Sequence, residues 1–299
     1  MEYIRTDGDF PRLSDSSVTL GKFDGVHRGH RKLIEQVLLK KDEGNIGVMF
    51  AFEMSDQMIF SREERKDLLR DLGMDVLIEC PLSEKIRHMK AESFVKEILV
   101  GDLKASSVVI GEDYRFGFER KGTPALLKKL GEKYGFETIV IPKEKEGRRK
   151  VSSTYIRDQL RTGKIEKVNQ LLGTRFFLKG VVEHGAGLGH KVLLPTVNLI
   201  PPKEKLMPPN GVYFTRSRFG EECFEGITNV GYKPTVDGSY LGVETYLFGC
   251  DKDLYGRDCL VEFFHYERPE FHFSGLPELK KQLLKDAELG KEFFEGLQK

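Results

Sequence analysis

Around Gly173 the chain passes from one hydrophobic periodicity to another, and this limits its possible folds more than any other feature. Up to Leu172, short apolar runs alternate with stretches of helical spacing. Ser17–Leu20 predicts a buried strand and Gly21–Gly29 a glycine-rich turn. Arg31–Lys41 predicts a helix through Leu33, Ile34, Val37 and Leu38. Further strands are expected at Ile46–Phe52, Val76–Cys80, Ser107–Ile110 and Thr138–Pro142, with helices at Glu63–Leu72, Ala91–Leu99 and Pro124–Tyr134. Such alternation implies βαβ units around a parallel sheet, a doubly wound, Rossmann-like α/β domain. Sheets of this kind take ligands at the carboxyl ends of their strands, so chemistry is expected in the loop after the first strand. Lys143–Lys150 (KEKEGRRK) predicts a solvated loop, and Ser152–Gly163 and Ile165–Leu172 two short closing helices. Beyond Gly173 the segments Phe176–Glu183, Gly211–Phe219, Glu225–Val230, Val243–Phe248 and Cys259–Tyr266 are short, aromatic and β-branched. They predict an antiparallel β-barrel, followed by an amphipathic helix over Leu276–Leu289 with Leu276, Leu279, Leu283 and Leu284 on one face. The expected domains are residues 1–172 and 173–299.

Charge and cysteine usage narrow the function classes. Lys+Arg 48 against Asp+Glu 47 leaves a net charge of +1, which gives no broad basic face for nucleic acid. A local basic site for a small phosphorylated ligand remains open. No apolar run approaches the ~20 residues that a bilayer demands. The opening MEYIRTDGDF has no apolar h-region, so no signal peptide is expected. Cys80, Cys223, Cys250 and Cys259 lack metal-ligand spacing, which argues against structural zinc and for a reducing cytosol. The expectation is a cytoplasmic enzyme of small molecules, a monomer or weak homo-oligomer, with neither nucleic acid nor membrane as partner.

The strongest local motif is Gly21-Lys-Phe23-Asp24-Gly25-Val-His27-Arg-Gly29-His30, which follows a strand and opens a helix. Gly25 and Gly29 let the backbone approach a ligand, and exposed amides at a helix start favour phosphate. His27 and His30, three apart, point the same way and can donate hydrogen bonds to a pentavalent phosphorus and a departing pyrophosphate. The bland reading has His27 capping the helix and His30 packing under it; the strand–turn–helix context favours the phosphate reading. A second motif is Val151-Ser152-Ser153-Thr154-Tyr-Ile-Arg157. Its serines can simply cap a helix, and Arg157, one turn on, can fork onto a phosphate.

In this order and spacing, the two motifs resemble the bacterial bifunctional riboflavin kinase/FAD synthetase family, over most of the chain. Gly111-Glu-Asp113-Tyr-Arg-Phe116-Gly117 is similar to that family's GxDFxFG loop, which implies nucleotide or flavin contacts from Gly111, Asp113 and Phe116. The resemblance implies the same for Gly21, Phe23, Asp24, Gly25, Gly29, Ser152, Ser153 and Thr154, with His27, His30 and Arg157 catalytic. Leu194-Pro-Thr196-Val-Asn198 resembles the PTxN kinase signature, so Thr196 and Asn198 inherit the magnesium and ATP phosphates. Glu244 aligns with the catalytic glutamate, while Asn229, in Asn229-Val-Gly-Tyr-Lys-Pro-Thr235, and Arg268 fall in further kinase segments. Gly185 and Gly189, in a run without Walker A order, suit a glycine-rich flap over ATP. Taken alone, Glu244 would be a strand-surface carboxylate, although a carboxylate near a primary hydroxyl can serve as general base. A neutral Asn and Thr beside it suit a hard cation that keeps its waters.

The resemblance implies ATP and Mg2+ as substrate complex, and riboflavin, FMN and FAD as substrates and products. Several positions depart from the family. Phe52-Glu-Met-Ser-Asp56 stands for FEPHP, Leu193-Leu194 for glycine-phenylalanine, and Tyr246 and Gly249 for a histidine and an aspartate. The departures leave two narrower readings: a kinase-only paralogue, and a non-catalytic flavin-binding regulator on the same folds. A nucleotidyltransferase for another alcohol phosphate would fit the first motif and leave PTxN unexplained.

Overall fold

A computed structural model describes residues 1–54, 57–183, 196–235 and 238–297. It divides into two compact units, Met1–Met58 with Arg62–Ser153, and Ile59–Ser61 with Thr154–Lys299.

In the first unit, β1 (Glu2–Arg5), β2 (Ser16–Gly21), β3 (Ile46–Phe52), β4 (Val76–Cys80), β5 (Ala105–Gly111) and β6 (Glu137–Ile141) form one sheet in the order β1-β4-β3-β2-β5-β6. All five pairings are parallel. Strand order reverses between β2 and β5, so the crevice at the carboxyl ends of these two strands is the binding position of a doubly wound sheet. β2 is buried on both faces, and its polar residues are satisfied within the sheet. Ser17 Oγ receives a 2.7 Å hydrogen bond from Ser107 Oγ, and Thr19 Oγ1 donates to the Val109 carbonyl at 3.0 Å. Helix α1 (Arg28–Asp42) lays Leu33, Ile34 and Val37 on one face with Met49, Leu77 and Val109. Helices α2 (Arg62–Asp71), α3 (Glu84–His88) and α4 (Ala91–Ser93, continuing as a π-helix over Phe94–Asp102) precede β5, and α5 (Pro124–Tyr134) precedes β6. The expected alternation is present. Strand β1, helix α3 and the short hairpin β7 (Lys145–Glu146)/β8 (Arg149–Lys150) were not anticipated. The hairpin corrects the expectation of a merely solvated loop: Glu144 and Glu146 hold Arg28 at 2.6 and 2.7 Å, fixing the first turn of α1.

The second unit begins with α6 (Ser153–Arg161), placed by contact with this unit from Thr154 onward, and α7 (Ile165–Leu172). Asn169 of α7 donates to the Phe263 carbonyl at 2.9 Å and accepts from the Phe176 amide at 2.7 Å, tying α7 to the sheet. That sheet is antiparallel, in the order β10 (Thr196–Leu199), β13 (Gly238–Leu247), β12 (Glu222–Thr235), β11 (Gly211–Phe219), β14 (Asp258–Arg268), β9 (Phe176–Val181). Among the described residues an isolated bridge, Glu183–Asn198, links the chain just past β9 to β10, so the sheet curls toward a barrel. Helix α8 (Leu276–Leu297) covers it through Ala287, Gly290 and Phe294 against Val212, Phe214, Ile227 and Phe264. The expected leucine face is therefore only half right, because Leu276 and Leu284 are exposed.

Candidate active sites

In the first unit, β2 ends at Gly21, and a 3-10 turn over Asp24–Val26 leads into α1. Gly25 takes φ +81°, which glycine adopts without strain, and Phe23 and Val26 share that unusual half of backbone space. Phe23 is fully buried and its ring lies 5.1 Å from that of His30, so it supports the histidine from the core side. His27 is the N-cap of α1: its Nδ1 accepts the His30 backbone N–H at 3.3 Å. The two imidazoles stack, 3.6 Å between centroids and 14° apart. A Cβ at Gly29 would lie 3.3 Å from the His27 ring, which explains the glycine. Capping and packing, the bland reading of the pair, are thus both present. The geometry also leaves polar capacity unused, since His30 Nδ1 and Arg31 Nε are buried without a hydrogen-bond partner among the described residues. Burial pushes the His27 pKa down to about 4, and that of His30, helped by His27, well below the usual histidine value. Both rings are neutral at pH 7. With Nδ1 of His27 accepting, its proton sits on Nε2, a neutral donor.

The remaining predicted residues of this unit divide. Ser153 Oγ donates to the Asp24 carbonyl at 2.9 Å, so the second motif does meet the first. Gly111 ends β5 beside the strand-order reversal, Asp113 pairs with Lys143, and Phe116 is buried. Phe116 stacks on Tyr114 at 5.8 Å, and the Tyr114 hydroxyl is buried without a partner among the described residues. Ser152 is half-buried, whereas Thr154 is exposed; Thr154 and Arg157 fall in the second unit. The sequence missed the buried group beneath the loop: Arg65 pairs with Glu79 at 2.6 Å, Tyr3 OH donates to Glu79 at 2.6 Å, and Arg65 reaches the Lys22 carbonyl at 3.4 Å. At the departure Phe52–Asp56, Glu53 is held by Arg5 and Arg62 at 3.0 and 2.9 Å; Ser55 and Asp56 lie outside the described residues.

In the second unit, a cavity of about 250 Å³ opens between the sheet and α8. Thr196, Asn229, Lys233, Glu244 and Glu270 form its polar side, while Ile227, Tyr246, Phe271, Phe273, Leu279 and Leu283 are apolar or aromatic. Strand register brings the polar groups together: Thr196 pairs with Tyr246, and Glu244 lies between Asn198 and Asn229. Thr196 Oγ1 donates to Glu244 Oε1 at 2.9 Å, and Lys233 Nζ to Oε2 at 2.7 Å. Arg268 lines the cavity, but its guanidinium is spent on Asp286, at 2.6 Å from Nη2 and 3.1 Å from Nε. Asn198 is half-buried on β10, and its carbonyl accepts from Glu183. Gly185, Gly189 and Leu193-Leu194 lie outside the described residues. Lys233, inside β12, and Glu270, just past β14, were not singled out, since one charged residue carries no periodic signal. Among the described residues, no three His, Cys, Asp or Glu side chains cluster to hold a metal by themselves. Thr196 and Asn198 beside one carboxylate suit a magnesium ion arriving on ATP, which keeps its phosphates and waters and asks the protein for one or two oxygens.

A phosphate-type helix start at the strand-order reversal of one unit, and a carboxylate-bearing cavity in the barrel of the other, define a two-domain transferase of small phosphorylated molecules. The family model for FAD synthetase matches residues 10–155, and that for riboflavin kinase residues 172–294. The bifunctional riboflavin kinase/FMN adenylyltransferase of Escherichia coli K12 is 33% identical, over 94% of this chain and 93% of its own. That of Bacillus subtilis 168 is 31% identical, over 95% and 94%. A crystal structure described as a macrolide-efflux protein from Streptococcus pneumoniae superposes with a TM-score of 0.86 at 27% identity, over 97% of this chain and 99% of that one. Among the described residues no helix is long and apolar enough to cross a membrane. The chain belongs to the bifunctional riboflavin kinase/FMN adenylyltransferase family, enzymes of flavin cofactor biosynthesis that use ATP, riboflavin and FMN.

Proposed function

We propose that the two reactions divide between residues 1–172, which adenylylate FMN, and residues 173–299, which phosphorylate riboflavin. The observation that carries the kinase assignment is Glu244, fixed through both oxygens in the wall of a mainly apolar cavity that carries a few polar groups. Glu244 takes the proton of the riboflavin 5′-hydroxyl; the oxygen attacks the γ-phosphorus of Mg·ATP, the bond to the β–γ bridging oxygen breaks, and ADP leaves. Lys233, already at Oε2, supplies a positive charge beside the transferring group, and Thr196 and Asn198 face the magnesium.

In the adenylyl step an FMN phosphate oxygen attacks the α-phosphorus of a second ATP, and the bond to pyrophosphate breaks. The nucleophile is already an anion, so no base is needed; positioning and hydrogen bonding carry the step. His27 acts as a neutral Nε2–H donor rather than a fixed cation, which follows from its burial. His30 lends its unpartnered Nδ1 side, and Gly21, Asp24, Gly25 and Gly29 shape the turn around the phosphates. Arg157 joins this step on the strength of the family motif. Cytoplasmic location, a monomer or weak homo-oligomer, and independence of nucleic acid complete the proposal.

Incubation with riboflavin, ATP and magnesium, followed by chromatography of the flavins over time, tests it. FMN that rises and gives way to FAD is expected. FMN alone would select the kinase-only version, and unchanged riboflavin the regulator.

A further inference from the structure

The second carboxylate of the barrel cavity, Glu270, has no part in the transfer above, yet three residues hold it. Its Oε1 accepts from Asn229 Nδ2 at 3.2 Å and its Oε2 from Asn210 Nδ2 at 3.1 Å. Gly231 completes the seat: a Cβ there would lie 2.0 Å from Oε1. Gly231 is not among the positive-φ glycines, and a side chain there would push the carboxylate out of its present seat.

Charge indicates what this seat receives. Among the described residues lining the cavity, Lys233 is paired with Glu244 and Arg268 with Asp286. Glu270 is held by neutral amides and adds a negative charge that repels phosphate. A carboxylate offers about four lone-pair positions. The two amides use one on each oxygen, and the remaining capacity suits O–H donors. Asn229 stands opposite Glu244 in the strand register and hydrogen-bonds Glu270, so the two carboxylates flank one asparagine.

We infer that Glu270 is the specificity-determining residue of the kinase cavity, accepting hydrogen bonds from the ribityl hydroxyls of riboflavin while the 5′-hydroxyl faces Glu244. The inference rests on the kinase reading of this cavity. It gives Asn210, Asn229 and Gly231 one purpose, to aim that carboxylate.

The test compares riboflavin with lumiflavin, which carries a methyl group in place of the ribityl chain. Binding to wild type, Glu270→Gln and Gly231→Ala is read from flavin fluorescence, alongside steady-state kinase rates. Glu270→Gln should weaken riboflavin binding about tenfold and leave lumiflavin binding unchanged. KM for riboflavin should rise about tenfold, with kcat within threefold and KM for Mg·ATP unmoved. Gly231→Ala, which displaces the carboxylate, should reproduce the pattern, and Glu270→Asp should recover part of the loss. Equal weakening of both flavins, no change in either, or a rise in KM for Mg·ATP instead would overturn the inference. Failure of the kinase reading itself is distinguishable, because wild type would then make no FMN.

Discussion

At the scale of single residues, the stacked histidines allow two predictions. Replacing His30 by Ala removes one member of the pair from the proposed adenylyl site, and loss of one preorganised donor typically costs 10²–10³ in rate. FAD formation from supplied FMN should fall at least about a hundredfold, with FMN formation from riboflavin within twofold; equal loss of both activities would contradict the division. The second prediction is a pH dependence. His27 binds its proton near pH 4 folded and near 6.5 unfolded, so between these values the unfolded chain holds more protons. Its contribution to stability is present above pH 6.5 and is lost as pH falls toward 4. At 1.36 kcal/mol per unit, about 2 kcal/mol disappears between pH 7 and 5. Wild type should lose about that much more than His27→Gln, which does not titrate, in urea unfolding at the two pH values. Identical losses would mean that the ring is not buried neutral. Residues of this kind were legible only where a motif carried them. His27, His30, Thr196 and Glu244 are legible in the sequence, and all four owe their roles to loop context or to family patterns. Lys233 enters the cavity through strand register and Glu270 through the chain that leaves β14, neither of which one chain read linearly displays.

At the scale of elements, the strands of the first unit were legible because burial on both faces leaves unbroken apolar runs, as in Ile46–Phe52 and Val76–Cys80. β1 was missed because its four residues, Glu-Tyr-Ile-Arg, lie at a half-exposed sheet edge and carry two charges. α8 was located, but its buried face was misread. Leu279 and Leu283 turn to the cavity, while Asp286, Ala287 and Gly290, none of them a large hydrophobe, are buried against the sheet. Gly290 lets the helix sit close to the sheet, since a Cβ there would press on Ile227 and Phe248 at 3.1 Å. Asp286 is fully buried, paired with Arg268 and hydrogen-bonded by Gln282, whose amide donates at 2.7 Å. Removing one partner of such a pair typically costs 3–5 kcal/mol. Asp286→Ala should therefore lower the unfolding free energy of the second unit by that order and reduce kinase activity, with FMN adenylylation retained. Unchanged stability in urea titration would show that the pair does not anchor α8.

At the scale of the whole molecule, the change of periodicity near Gly173 foretold two architectures in one chain, and the family models place an FAD synthetase match and a riboflavin kinase match on either side of it. If residues 1–172 and residues 173–299 each perform their own reaction, as proposed, a lesion in one stretch is not a lesion in the other. Glu244→Gln should make no measurable FMN, because removal of a general base costs about 10²–10⁴ in rate, yet it should convert added FMN to FAD at the wild-type rate. His30→Ala should do the reverse. Mixed in one tube with riboflavin, ATP and magnesium, the two variants should produce FAD, although neither does so alone. The time course should show a lag that shortens as total protein rises, because FMN must leave one molecule and diffuse to another. FAD that fails to appear while FMN accumulates would mean that FMN is not taken up from solution and must pass within a single chain. A mixture that forms neither product would mean that Glu244→Gln and His30→Ala each disable both units, and the assignment of separate reactions to separate residues would fall with it.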